Sequence, residues 1–174
     1  MDFSLELGKE ILGRTPDVLQ AMLSDRSDAW VAASEAPDAW SPYQVVGHLT
    51  HIEECDWIDR TRLILEHGTG RVLEPVDRVA GFTRFKDWKL NDLLDRFGSV
   101  RTSNLKTLEA LIEVADLERR GVHPTFGEVT ISQLLATWVV HDLNHLGQVV
   151  KTMAKKYADA VGPWREFLPI IDAP

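Results

Sequence analysis

The sequence holds a single cysteine, Cys55, among 174 residues. No intramolecular disulfide can form, and the natural reading is a reducing compartment. The N-terminal stretch MDFSLELGKEILG carries acids early and no uninterrupted apolar run, so neither a signal peptide nor a membrane span is expected, and the protein reads as cytoplasmic. Basic charge is in deficit: 19 Lys and Arg stand against 27 Asp and Glu, a formal net charge of −8. Without a basic face to neutralise phosphates, neither nucleic acid nor an anionic membrane surface is an expected partner. No fixed-period repeat, low-complexity tract or Gly/Ser/Pro linker divides the chain, which reads as one domain over residues 1–174.

What is present is a composition of 44% hydrophobic and 26% charged residues, typical of a globular chain with its own core. A chain of this length buries roughly 70% of the surface it exposes when unfolded, so it needs no structural metal, and a metal here would serve function.

Apolar residues recur at three- and four-residue intervals in four long segments. The first, about Ser4 to Asp25, is interrupted at Thr15-Pro16, either an N-cap followed by a helix-starting proline or a kink. The second opens on Ser41-Pro42-Tyr43-Gln44, with an N-cap, a proline at the first helical position and a capping-box glutamine, and is expected to run to about His67, where Gly68 stops it. The third covers about Leu90 to Glu113. The fourth opens on a second capping box, Thr130-Ile131-Ser132-Gln133, and continues to about Tyr157.

Between these, residues 69–89 are loose, with one short helix near Asp77 to Phe85. Residues 114–129 read as a loop with one helical turn near Asp116. A C-terminal tail with Trp164, Phe167, Leu168 and Ile170 is expected to pack back as a cap. Without convincing strand pairs, the fold class is all-α, an up-and-down four-helix bundle.

His141 and His145, in VVHDLNHLGQVV, share one face of the fourth helix at i,i+4, with Cβ atoms roughly 5–6 Å apart. His48 lies at the apolar edge of the second helix, in SPYQVVGHLTH. Three neutral imidazoles around an open coordination position are what a catalytic metal site requires, and facing helices of a bundle are where such sites are built.

The motifs GHL around His48, HDLNHLGQ around His141 and His145, and HPTFGEVTISQLLATWVVHD before them resemble the DinB/YfiT-like superfamily of bacterial four-helix proteins. The likeness extends over nearly the whole chain, from SPYQVVGHL to the VGPWREFL tail. It implies a divalent metal held by His48, His141 and His145, with homodimerisation as a further implication. It also implies a small-molecule substrate and chemistry that is either transfer of a low-molecular-weight thiol, such as bacillithiol, mycothiol or glutathione, or metal-dependent hydrolysis.

Imidazole donors suit zinc or nickel and are compatible with iron or manganese. Zinc–nitrogen bonds of about 2.0–2.1 Å would bring the three nitrogens within roughly 3.3 Å of one another, leaving one side open to water or thiol. A non-catalytic metal-binding or stress-response bundle is the alternative, because the sequence shows no unambiguous general acid or base.

The remaining candidates divide between site and scaffold. His51, one turn beyond His48, is a further ligand, a supporting base or a surface residue. Gln148, three residues after His145, could hydrogen-bond a ligand or substrate. Trp138 belongs first to the core and second to the pocket wall, and Cys55 is more naturally a small buried residue than a nucleophile. Asp142 takes the place of the glutamate in an HExxH protease motif, which excludes that chemistry, and is expected to be solvated or to support a ligand. His123, in the HP turn, either overhangs the pocket or faces solvent, and His67 caps the end of its helix.

Overall fold

Ser41 Oγ accepts from the Gln44 amide, and the Ser41 amide donates in return to Gln44 Oε1, so the second bundle helix starts where its capping box places it. Thr130 and Gln133 repeat the device at the fourth. In this computed structural model, which describes residues 2–172, the elements are α1 (Leu5–Leu12), α2 (Thr15–Leu23), α3 (Asp28–Val31), α4 (Pro42–Cys55), α5 (Trp57–His67), α6 (Ala80–Arg84), α7 (Leu90–Leu111), β1 (Arg120–His123), β2 (Gly127–Thr130) and α8 (Ile131–Lys155). The four bundle helices are α1–α2, α4–α5, α7 and α8.

Two of the four are broken, and α7 supplies a donor to each break. Pro16 has no amide N–H, so the Leu12 carbonyl loses its partner four residues on. Arg101 Nη1 fills that position at 2.7 Å, and the chain restarts as α2 with Pro16 in its first turn. The second break corrects the expectation of one continuous helix from Ser41 to His67. At Asp56 the backbone turns to φ −122°, ψ −71°, and the Glu53 carbonyl accepts from Asn104 Nδ2 at 2.6 Å. No proline or glycine marks this break. Asp56 and Trp57 are both buried at it, which sequence periodicity cannot show.

The core lies in two apolar clusters. One end of the bundle holds Leu12, Ile52, Trp57, Leu108, Leu135 and Trp138. The other holds Leu19, Leu49, Leu93, Phe97 and Val149. The first and fourth helices run from the former cluster to the latter, and the second and third run the opposite way. The helix pairs joined by the first and third connections are therefore antiparallel. The second and third helices are parallel, because the long connection from Gly68 to Lys89, with α6 inside it, returns the chain to the starting end; the four-helix bundle is as expected, but its order departs from up-and-down at this crossover.

Residues 120–130 correct a second expectation. The segment read as loop is an antiparallel hairpin pairing Arg120 with Thr130 and Val122 with Glu128, closed by Gly127 at φ 75°. The Leu73 amide donates to the Val122 carbonyl at 2.8 Å and ties the long connection to the hairpin. In the tail, Ile171 is buried while Trp164 and Phe167 are 69% and 75% exposed, so the cap expected there is made by a different residue. No helix among the described residues is long and apolar enough to cross a membrane.

Candidate metal centre

His48, His141 and His145 converge between α4 and α8, each offering a ring nitrogen within 4.8 Å of the others. His48 is placed by the capping box two turns before it. The other two are placed by the 3.6-residue period of α8, which stacks i and i+4 on one face.

Ring orientations are set by the surroundings. His48 Nδ1 donates to the Arg78 carbonyl at 2.8 Å, which leaves the Nε2 lone pair turned toward the centre. His145 Nδ1 donates to Gln148 Oε1 at 2.9 Å, with the same consequence for its Nε2. Gln148, one of the sequence candidates, thus orients a ring. His48 Nε2 and His141 Nε2 are 3.0 Å apart, and buried His141 Nδ1 has no hydrogen-bond partner among the described residues. Two such nitrogens facing each other repel unless a proton or a cation lies between them. The spacing is close to the roughly 3.3 Å that tetrahedral zinc–nitrogen bonds impose, so the donor set fits a divalent ion.

Protonation favours the same use. Burial lowers the His48 pKa to about 4, against the opposing hydrogen bond to the Arg78 carbonyl. Burial, reinforced by the neighbouring His145 and His48, lowers His141 to about 3. His145 is also lowered by burial, with the Gln148 bond opposing. All three rings are therefore neutral at neutral pH, the form that metal ligation requires.

The rings are braced by aromatic side chains. Trp40 stacks on His145 at 5.7 Å with 6° between planes and meets His48 at 4.9 Å. Trp57 meets His141 edge-on at 5.3 Å. Above them opens a cleft of about 560 Å³, walled by Asp56, Arg60 and the 75–78 segment on one side and by residues 123–126 and Asn144 on the other. His123, left between pocket and solvent by its sequence, lines this cleft. Its Nδ1 accepts from the Thr125 amide at 3.1 Å, and its ring stacks on Phe126 at 4.5 Å.

A model of the DinB superfamily matches residues 11–149. The chain belongs to the DinB superfamily. Among solved structures, the fold of this DinB-superfamily chain is similar to YfiT from Bacillus subtilis, described as a probable metal-dependent hydrolase with an unusual four-helix bundle topology. The match has a TM-score of 0.74 at 19% identity and covers 90% of this chain and 87% of that one. A second, described as a four-helix bundle protein, matches with a TM-score of 0.55 at 20% identity, covering 82% and 95%. No curated protein matches significantly.

Other candidates lie outside the convergence. His51 and Cys55 line a neighbouring cleft with Asp59 and Glu74. Cys55 is exposed rather than buried, and its thiol donates to the His51 carbonyl at 3.1 Å. Trp138 is fully buried and donates from Nε1 to Glu53 Oε2 at 3.2 Å, so it is a core residue. His67 ends α5 as expected, with Gly68 following at φ 54°. Asp142 is not solvated. It is fully buried and held by both Nη1 and Nη2 of Arg101.

Glu53 and Arg101, which sequence reasoning did not single out, complete this buried network under the centre. Arg101 donates to both Glu53 oxygens at 2.8 and 2.9 Å. A signal existed in the register: Glu53 follows Leu49, Arg101 follows Phe97 and Asp142 follows Trp138, each by four residues on a core stripe.

Proposed function

We propose that this chain is a divalent-metal-dependent enzyme that activates water or a low-molecular-weight thiol at His48, His141 and His145. Its substrate is a small molecule admitted through the adjoining cleft. The observation that carries the reading is the convergence of three neutral rings, two of them oriented by hydrogen bonds, at the floor of an open cleft. Zinc or nickel is the proposed ion, on the all-imidazole donor set. When bound, such an ion supplies Lewis acidity that deprotonates a water or thiol at neutral pH.

The protein's own residues do the rest. The Arg78 carbonyl and Gln148 hold two imidazoles in the ligating tautomer. Trp40 and Trp57 pack against the rings and keep bulk water from their flanks. Cys55 opens into the neighbouring cleft, and the hydroxyls lining the reaction cleft are those of Thr125 and Thr137. The chain therefore places no thiol of its own beside the centre, and the nucleophile comes from solution. This supports both metal-dependent hydrolysis, the chemistry ascribed to YfiT, and thiol transfer.

The test is a paired panel on metal-loaded protein. Esters and amides are assayed without thiol, and an electrophile is assayed with bacillithiol, mycothiol or glutathione. Turnover in one arm, abolished by chelation and by His145→Ala, is expected. No turnover in either arm, with metal bound, contradicts the enzyme reading and favours a non-catalytic metal-binding protein.

A further inference from the structure

The chain carries a net charge of −8, yet the cleft over the histidines is lined by Arg60, Arg78 and His123 and by one carboxylate, Asp56. That carboxylate is committed. Arg60 Nε lies 2.5 Å from Asp56 Oδ1, and Arg60 Nη2 donates to the Glu74 carbonyl at 3.0 Å. Arg60 and Asp56 cancel each other and fasten the start of the connecting segment.

Arg78 differs on each count. Its backbone is pinned on both sides, by the bond from His48 Nδ1 to its carbonyl at 2.8 Å and by the Val79 amide donating to Asp77 Oδ1 at 3.0 Å. Its side chain is exposed and lines the cleft. No carboxylate lies within ion-pair distance of it among the described residues. An unneutralised guanidinium carried on a pinned backbone beside the three histidines has the chemistry of an anion subsite.

We propose that Arg78 anchors a carboxylate of the substrate or co-substrate, so that the enzyme acts on acidic small molecules whose reacting group is presented to the three-histidine centre. One guanidinium matches the single charge of a carboxylate and its two in-plane oxygens. The proposal rests on the metal-centre reading above and assigns its substrate class.

Cobalt(II) serves as both metal and reporter, because a thiolate bound to it gives a charge-transfer absorption. Cobalt-loaded wild type and Arg78→Gln are each titrated with 3-mercaptopropionate and with its uncharged methyl ester. The two probes differ in thiol acidity, but that difference is common to both proteins. Arg78→Gln also keeps the backbone carbonyl that holds His48.

A charge-assisted contact predicts that the wild type favours the acid over the ester by at least ~10-fold relative to the variant. Arg78→Gln loses that preference with ester affinity unchanged, and Arg78→Lys restores part of it. Equal preference in the two proteins, or no binding of the acid by the wild type, overturns the proposal while the cobalt spectrum shows the centre intact. Failure of the wild type to bind cobalt overturns the underlying reading instead.

Discussion

Arg101 and Asp142, 41 residues apart in sequence, are joined in the bundle interior by two hydrogen bonds of 2.6 and 3.0 Å. Through Arg101 every bundle helix meets: the Leu12 carbonyl on the first, Glu53 on the second, Arg101 itself on the third and Asp142 on the fourth. Asp142 is the neighbour of His141, so the network fixes the rotation of α8 that points its histidines at His48. Arg101→Met leaves two carboxylates buried without their cation. Removing one partner of such a group costs about 3–5 kcal/mol, and urea unfolding should show a loss of that size. A loss below ~1 kcal/mol would place the network outside the stabilising core.

The helical bundle and the i,i+4 pairing of His141 with His145 were legible in the sequence because each rests on local information, while the approach of His48 to that pair was expected from the family resemblance. Capping boxes at Ser41 and Thr130 fix two helix starts, and the period of α8 fixes the relation of His141 to His145. The buried charges left only a register signal, each lying one turn beyond a core residue, and nothing in the sequence paired Glu53 and Asp142 with Arg101. Only a fold that brings three helices together pairs them. The break at Asp56 was hidden for a related reason, because what accompanies it is the long-range bond from Asn104 to the Glu53 carbonyl and the burial of Trp57. The hairpin was hidden by the polar turn residues of HPTFGE, which outweighed the alternation on either side.

Gln148 orients His145 at 2.9 Å. Removing a group that orients a metal ligand typically weakens metal binding about 10–100-fold. Gln148→Leu is expected to do so, and Gln148→Glu to retain affinity, in competition with a chromophoric chelator. Equal affinity in Gln148→Leu and wild type would show that the bond does not orient the ring.

The metal-free protein should lose stability in acid. His48 at about 4 and His141 at about 3 are held below the ordinary 6.5, so between those values the unfolded chain binds more protons than the folded one. Stability is then fully present above pH 6.5 and falls as pH drops through 6 toward 4. Asp56 acts in the opposite sense: burial raises it to about 6 from 3.8, despite Arg60, so its protonation favours the fold over the same window. The two histidines outweigh it, each being displaced further. A melting temperature that rises on acidification from pH 6.5 to 4.5 would contradict this balance.

Gly81 lets α6 lie directly on α4. A Cβ there would sit 2.5 Å from the Gly47 carbonyl oxygen and 3.0 Å from His51 Cβ. Gly81→Ala should displace α6 and with it the Arg78 carbonyl that orients His48. The expected cost is about 1–3 kcal/mol of stability, accompanied by weaker metal binding. Gly70→Ala, where a Cβ meets nothing within 4 Å, serves as the control and should change neither quantity.

The most direct test is metal stoichiometry. Protein depleted of metal and then equilibrated separately with zinc and nickel is analysed for bound ion, beside His48→Ala, His141→Ala and His145→Ala variants whose helical content is confirmed by circular dichroism. One ion per chain in the wild type and a marked loss of affinity in each folded variant are predicted. Wild type that binds neither ion, or folded variants that bind as tightly as wild type, would contradict a metal centre at these three histidines.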